Sequence, residues 1–344
     1  MSRQLLNTLF VMTPGAYARL DGDTAVVEHE GQRLVQAPLH QIGSVVAFEG
    51  VGVSTALLMR CAEDGRSVTL LDYAGRFKAR VEGPESGNVL LRRAQFQASL
   101  DPVGSASIAR NIVGGKIRNA RQTLQRAARD ARDAEAGAEL RSAAQGLAAM
   151  LESLPSAADL DAIRGVEGNA ASIYFAAFGR MITRPPAEFA FKVRTRRPPR
   201  DRVNALLSFL YALLQSDCCA AAEGVGLDPQ VGFLHAVRPG RPALGLDLME
   251  EFRSVVSDRL ALNLINRRQL TPDHFEERRG GSVLLSEDGR RTVLVAYQTR
   301  KKEEVNHPFL QARVPIGLLP HVQARLLARH LRGDMQGYLP YVAR

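Results

Sequence analysis

The sequence predicts an α+β fold in which a β-rich sheet domain precedes a larger, mostly α-helical domain. Short apolar runs separated by turn residues fill the first part of the chain, whereas apolar residues spaced three or four apart dominate the rest. At 344 residues and 45% hydrophobic content, the chain is long enough to bury two cores. We therefore predict a β-rich domain at 1–82, a linker at 83–100 and a helical domain at 101–344.

Four short runs with strand-like composition support the first domain. They are Leu5–Val11, Ala25–Glu28, Ile42–Phe48 and Val68–Leu71. Ser54 is placed to cap one short helix, Thr55–Ala62, which Asp64-Gly65 would end. The pattern indicates a small sheet domain that contains one helix.

Turn-forming residues at 83–88 mark the change to helical periodicity, and they place the linker there. Beyond them, several long segments have apolar residues at helical spacing. These segments are Ile108–Ala128, Ala136–Leu154, Ala170–Met181, Val203–Ala222 and Leu248–Asn266. One exception predicts a β-hairpin, in which Ser282–Leu285 and Arg291–Tyr297 flank a turn containing Glu287-Asp-Gly289.

The charge of the chain favours an anionic partner. Its formal net charge is +9, and of its 45 basic residues five are Lys and the remaining 40 are Arg. A guanidinium group can donate two hydrogen bonds to two oxygens of one phosphate, so this bias suits a surface that binds nucleic acid. A GC-rich genome would produce the same bias, so the charge predicts a class of partner and says nothing about the fold.

Cysteine usage and the N-terminal sequence indicate a cytoplasmic protein. Cys61, Cys218 and Cys219 cannot pair completely, and they have no C-x-x-C spacing. The first residues lack the apolar core of a signal peptide, and no stretch has about 18 consecutive apolar residues. We therefore expect neither export nor membrane insertion.

Familiar catalytic motifs are missing from the sequence. Gly114-Gly-Lys-Ile117 lacks the first glycine and the Ser or Thr of a P-loop, and Gly50-Val-Gly52 lacks the third glycine of a dinucleotide-binding loop. No G-x-S-x-G sequence occurs either. These absences argue against a kinase, a dehydrogenase or a serine hydrolase.

A proline-containing basic segment, residues 191–201, lies between two predicted helices. Stiff, extended, basic backbone can follow a phosphate backbone with little further loss of entropy, although a solvated linker would have the same composition. The residues that we predict to bind nucleic acid are Lys192, Arg194, Arg196, Arg197 and Arg200.

Four polar residues in three separate segments form the candidate catalytic set: Glu167, His235, Asp247 and Glu250. Hard divalent cations take oxygen ligands and tolerate an imidazole, so this set suits Mg²⁺ or Mn²⁺. Asp247 and Glu250 are three apart and share one helix face. A carboxylate-lined metal site in a basic protein points to phosphodiester chemistry on nucleic acid.

Each of these residues also has a purely structural interpretation. Glu167 lies at the predicted start of a helix, where a carboxylate gains from the helix dipole, and the same holds for Asp247 and Glu250. A lone His at the end of an apolar segment, such as His235, is more often structural than ligating. Only the convergence of all three segments would establish a site.

Together these motifs resemble the CRISPR spacer-acquisition integrases, the "Cas one" (Cas1) endonucleases, in the form found with type I-C systems. The resemblance extends over essentially the whole chain. It rests on Leu5–Leu9, Pro14–Tyr17, Pro38–His40, Gly75–Phe77, Gly83–Gln95, Gly165–Gly168, Arg197–Tyr211, Leu246–Arg253 and His307–Phe309.

The resemblance implies a β-rich N-terminal domain that dimerises and a helical catalytic domain. It implies a Mg²⁺ or Mn²⁺ ion held by Glu167, His235 and Glu250, with Asp247 as an additional acid of the catalytic set. Some family members have Asp where this chain has Glu250, whose side chain is one methylene longer. His235 would serve as a ligand, a proton shuttle or both.

The same resemblance implies a reaction and partners. A 3′-hydroxyl of a short prespacer duplex would attack a phosphodiester of the CRISPR leader–repeat, while a metal ion neutralises charge in the transition state. Two homodimers would be bridged by the small partner "Cas two" (Cas2). The alternatives from the residues themselves are a metal-dependent nuclease that repairs branched DNA, and an architectural DNA-binding protein whose acids cap helices.

Overall fold

The computed structural model describes residues 8–72, 77–81, 83 and 89–343. The chain divides into two compact units, residues 1–86 and 87–344. The first is β-rich and the second mostly helical, which confirms the predicted fold class. Within the predicted linker, residues 89–100 form helix α2 of the second unit. Leu5–Asn7 of the first predicted strand and residues 84–88 of the linker lie outside the described residues.

The described residues of the first unit form two four-stranded sheets, with strand orders β1-β5-β7-β8 and β4-β3-β2-β6. The strands are β1 Thr8–Val11, β2 Tyr17–Asp21, β3 Thr24–His29, β4 Gln32–Pro38, β5 Ser44–Phe48, β6 Gly52–Val53, β7 Ser67–Leu71 and β8 Phe77–Val81. Ser54 accepts a hydrogen bond from the backbone of Leu57 and so begins α1, Thr55–Glu63, as predicted. The buried side chains of Val45, Leu57 and Val68 form part of the core of this unit.

The described part of the second unit contains helices α2 to α11 and two short hairpins. The helices are α2 Val89–Leu100, α3 Pro102–Asp130, α4 Ala134–Ser153, α5 Leu160–Phe178, α6 Pro186–Phe189, α7 Arg202–Gly224, α8 Ala243–Glu250, α9 Arg259–Asn266, α10 Glu287–Lys302 and α11 Leu319–Leu331. Antiparallel pairs join β9 Phe275–Arg278 to β10 Ser282–Leu285, and β11 Glu304–His307 to β12 Ala312–Pro315.

Helix α7 is the central helix of this unit. By length and composition it is the one helix in the described residues that could cross a membrane, but 67% of its most apolar window is buried inside the protein. Its buried residues lie on all sides, because the consecutive residues Val203–Leu207 are all buried. A helix that is apolar all round belongs in a core, and α7 fills that role here.

The predicted hairpin at residues 282–297 is wrong. Ser282–Leu285 is a strand, but it pairs with Phe275–Arg278, and the residues after it form α10. Ser286 accepts a hydrogen bond from the backbone of Gly289 and caps this helix, so the Asp-Gly pair lies in a first helical turn. Acidic residues in the first turn and basic residues in the last also favour α10.

Candidate active site

Helix α5 carries Glu167 well inside its length. Asp159 accepts a hydrogen bond of 2.8 Å from the backbone of Ala162 and begins the helix at Leu160. The expectation that Glu167 lies at a helix start is therefore wrong, because the chain supplies an earlier cap. Because Asp159 caps the helix, the Glu167 carboxylate is not needed as a cap. It contacts the ammonium of Lys116, which lies on another helix, α3.

Glu250 is the last residue of α8, and Asp247 lies one turn before it. The expectation that these two acids begin a helix is also wrong, because α8 starts at Ala243. Directly beyond them the chain forms a π-helical segment, Arg253–Asp258. Such wide turns in α-helices are frequent at functional sites, and the first residue of this one, Arg253, contacts Glu250.

Asp247 organises the loop that carries His235. Its side chain is fully buried, and its carboxylate accepts backbone hydrogen bonds from Phe233 at 2.6 Å, Leu234 at 3.0 Å and His235 at 2.9 Å. Gly232 makes this possible, since an added Cβ there would lie 2.8 Å from Oδ2 of Asp247. Asp247 therefore holds the loop and has little capacity left for another ligand.

Asp247 also orients the imidazole of His235. Nδ1 of His235 lies 2.7 Å from Oδ1 of Asp247, and this carboxylate acts as an acceptor throughout. When the ring is neutral, Nδ1 therefore carries the hydrogen and Nε2 keeps its lone pair. Nε2 lies 3.9 Å from Oε1 of Glu250, so the lone pair points into the same site as that carboxylate.

Two cations hold the buried carboxylate of Glu250. Oε2 lies 2.7 Å from Nζ of Lys116, and Oε1 lies 2.9 Å from the guanidinium of Arg253. Burial raises the pKa of Glu250, but Arg253, Lys116 and His235 outweigh burial and hold that pKa well below its usual range. Glu250 is therefore ionised although only 4% of its side chain is exposed.

Arg253 is fixed by aromatic packing as well as by charge. Its guanidinium lies 4.6 Å from the ring centre of Tyr211, whose hydroxyl donates a 2.6 Å hydrogen bond to Asp258. Burial raises the pKa of Asp258 to about 6 despite hydrogen bonds from Tyr211 and Tyr174. This layer of aromatic and acidic groups keeps Arg253 directed at Glu250.

The donor types present suit a divalent cation. Oε2 of Glu250 is buried, and its charge is compensated by the ammonium of Lys116 at 2.7 Å. Glu167 and His235 supply a further oxygen and a nitrogen lone pair. As the side chains stand, no three His, Cys, Asp or Glu residues in the described part of the chain lie close enough together to hold a metal ion. The ammonium of Lys116 contacts the carboxylates of both Glu167 and Glu250.

Sequence reasoning missed Lys116 and gave Arg253 no role. Lys116 entered only as part of a rejected P-loop, although its side chain contacts both Glu167 and Glu250. No local signal identifies it, because its partners lie on other helices. Arg253 carried a weak signal, since it is three residues after Glu250 and so shares its side of the chain.

The surface of α5 beside Glu167 is open, because two residues close to it are glycines. Gly165 and Gly168 flank Glu167 on α5, and an added Cβ at either would meet nothing within 4 Å. Both glycines are exposed, as is Asn169. Glycine here leaves room for a bulky backbone to approach the carboxylate closely.

The basic segment divides into inward and outward residues. Arg194 is directed inward, where it donates to Asn204 Oδ1 at 2.7 Å and to Ser208 Oγ at 3.1 Å, and burial lowers its pKa. Arg200 donates to the backbone oxygen of Gly280 at 2.6 Å. Arg200 is nevertheless exposed, as are the remaining predicted nucleic-acid-binding residues: Lys192, Arg196 and Arg197.

Comparison with known proteins identifies the family. A sequence model described as "CRISPR associated protein Cas1" matches residues 9–299. A protein named "CRISPR-associated endonuclease Cas1 1" from Moorella thermoacetica is 55% identical over 340 residues, which cover 99% of this chain and 99% of that protein.

Two solved structures share the fold. "Casposase bound to integration product" has a TM-score of 0.82 at 21% identity, covering 97% of this chain and 92% of that chain. "Cas6-RT-Cas1–Cas2 complex" has a TM-score of 0.82 at 23% identity, covering 98% of this chain and 36% of that chain. The match to the family model and the identity to the Moorella protein together show that the chain belongs to the Cas1 family of CRISPR-associated endonucleases.

Proposed function

We propose that this protein is a metal-dependent DNA endonuclease and integrase that inserts short DNA fragments into a CRISPR array. The observation that carries the proposal is the grouping of three side chains around Glu250: Nε2 of His235 lies 3.9 Å from its Oε1, and the ammonium of Lys116 contacts both its Oε2 and the carboxylate of Glu167. Membership of the Cas1 family supports it.

Glu167, His235 and Glu250 would hold Mg²⁺ or Mn²⁺. A bound ion would supply charge neutralisation at the reacting phosphodiester and would favour the ionised form of the attacking hydroxyl. The protein residues do the rest. Asp247 keeps His235 in the tautomer that presents Nε2, and Arg253 keeps the Glu250 carboxylate ionised and in place.

DNA would cross the face of α5 beside Glu167. Gly165 and Gly168 let a phosphodiester backbone approach the carboxylate, and the outward basic residues Lys192, Arg196 and Arg197 supply charge. Arg194 would support the segment from within and Arg200 from the surface, through their hydrogen bonds to the protein.

The proposal includes the assembly. The N-terminal β-rich domain would form a homodimer, and Cas2 would bridge two such dimers on a prespacer duplex and a CRISPR leader–repeat. The motif resemblance supports this arrangement, and so does the fold shared with a chain of a Cas1–Cas2 complex. The same motifs support a type I-C system, and the cysteine usage supports a cytoplasmic location.

The test is strand transfer on branched DNA that carries leader and repeat sequence, with and without Mn²⁺ or Mg²⁺. We expect metal-dependent joining in the wild type and its loss in folded Glu167→Gln and His235→Ala. Glu139→Gln is the matched control, because Glu139 is a helical glutamate paired with Arg180 at 2.6 Å on the surface. It should join DNA like the wild type.

The alternatives predict different outcomes. Cut ends without a joined product would indicate a nuclease that repairs branched DNA. Binding without any metal-dependent chemistry would indicate an architectural protein, since counterion-driven binding requires no divalent ion. Joining that survives both substitutions would contradict the proposed site.

A further inference from the structure

Lys116 lies between the two glutamates of the candidate metal site. It reaches from α3 to the carboxylate of Glu167 on α5 and to Glu250 Oε2 at 2.7 Å. Only 16% of its side chain is exposed. Two carboxylates this close would repel each other in the absence of a cation, and the ammonium of Lys116 supplies the compensating charge.

An ammonium and a divalent ion cannot occupy the same position. Both require the oxygens of Glu167 and Glu250, and both would sit between them. Arg253 does not compete in this way, because it binds the other oxygen of Glu250 and packs against Tyr211. Metal binding at this site therefore requires that Lys116 leave one or both carboxylates.

We propose that Lys116 is an internal counter-cation that closes the site and is displaced when a divalent ion binds. This inference rests on the proposed function. The apparent association constant for the metal is then the intrinsic constant multiplied by the fraction of molecules in which Lys116 has moved away. Displacement also leaves the released ammonium unpaired beside the site, where it can contact a DNA phosphate, so that metal and DNA binding reinforce each other.

The displacement can be measured directly by amine labelling with mass spectrometry during a Mn²⁺ titration of the full chain. The matched internal control is Lys301, which is buried in an ion pair with Asp217 at 3.0 Å and has 7% of its side chain exposed. We expect Mn²⁺ to increase labelling of Lys116 by about tenfold, which corresponds to a tenfold increase in the fraction of molecules in which Lys116 has left the carboxylates. Labelling of Lys301 should not change, and the midpoint should equal the Mn²⁺ affinity from calorimetry.

Calorimetry on two variants provides a second measurement. Lys116→Met should bind Mn²⁺ about tenfold more tightly than the wild type, because no ammonium competes. Lys301→Met should bind as the wild type does. If Mn²⁺ binds while Lys116 labelling stays constant and Lys116→Met has unchanged affinity, the inference is wrong and the proposed function stands. If neither the wild type nor Lys116→Met binds Mn²⁺, the proposed metal site itself is wrong.

Discussion

Glu250 and Glu251 are adjacent, equally buried glutamates that exist in opposite electrostatic surroundings. Lys116 and Arg253 surround Glu250 and hold its pKa well below the usual range. Glu251 has only neutral donors, and burial raises its pKa to about 8. Burial acts on both, so the charge of the partners decides which carboxylate is ionised at neutral pH.

Glu251 ties the C-terminal segment to the active-site helices. Its Oε2 accepts hydrogen bonds from the backbone of Tyr341 at 2.7 Å and from Gln323 at 2.9 Å, and its Oε1 accepts from the hydroxyl of Tyr338. Asn119, one turn after Lys116 on α3, donates to the backbone oxygens of Glu251 at 2.8 Å and Tyr341 at 2.9 Å. The comparison teaches that charged partners keep one buried glutamate ionised, whereas neutral donors hold its neighbour as part of the structure.

The sharpest way to break this comparison is to neutralise each glutamate in turn. Glu250→Gln should reduce DNA joining and cleavage by about 10³-fold or more, because it removes a negative oxygen from the site. Glu251→Gln should retain activity within several-fold, since an amide mimics the protonated acid. Steady-state assays on both variants, after circular dichroism confirms folding, would decide; equal losses would contradict the division of roles.

A pH series tests the raised pKa of Glu251. A folded-state pKa of about 8, above the ordinary glutamate value of 4.5, means that its stabilising contribution is complete below about pH 4.5 and is lost as the pH rises through 8. The loss is at most about 5 kcal/mol, at about 1.4 kcal/mol per pKa unit.

Urea unfolding of the wild type and of Glu251→Gln between pH 5 and pH 9 measures this effect. Stability of the variant should rise relative to the wild type as the pH increases. A constant difference across the series would show that Glu251 does not titrate in this range.

Asp247→Asn tests the orienting role of the buried aspartate. An amide can present its nitrogen to His235, which would favour the wrong tautomer and turn the Nε2 lone pair away. We expect activity to fall by about 10- to 100-fold, the usual effect of losing such an orienting partner. Metal affinity by calorimetry should weaken with it, whereas an unchanged affinity and rate would make Asp247 a loop anchor only.

The smallest expected effect is on DNA binding by the basic segment, where exposed Arg197 is compared with inward-directed Arg194. Arg197→Gln should weaken DNA binding several-fold and reduce the salt slope by about one, the effect of losing a single phosphate contact. Arg194→Gln should instead lower stability, because its hydrogen bonds to Asn204 and Ser208 are internal. Fluorescence anisotropy at several salt concentrations measures the first effect and urea unfolding the second; a reversed pattern would contradict the assignment.

Much of the fold and part of the site followed from the sequence, because both depend on local patterns. Apolar spacing predicted long helices such as α3 and α7, and Ser54 correctly marked the start of α1. The choice of Glu167, His235, Asp247 and Glu250 as a catalytic set also came from the sequence and its resemblance, and it stays a prediction until the variants are measured.

Errors arose where a local pattern fitted two structures. A strand-like run after Glu287-Asp-Gly289 suggested a hairpin, but the Ser286 cap and the charge distribution produced α10. The starts of α5 and α8 were placed too late, because Asp159 and the turn at Pro242 were not read as boundaries.

The sequence by itself determined which residue types are available for chemistry, whereas the tertiary structure decided their roles. Lys116 and Glu167 lie 51 positions apart, and Asn119 and the backbone of Glu251 lie 132 apart. Only packing of α3 against α5 and α8 brings such partners together. The ionisation of Glu250 and the raised pKa of Glu251 follow from those long-range partners, since adjacent residues of the same type have the same intrinsic pKa.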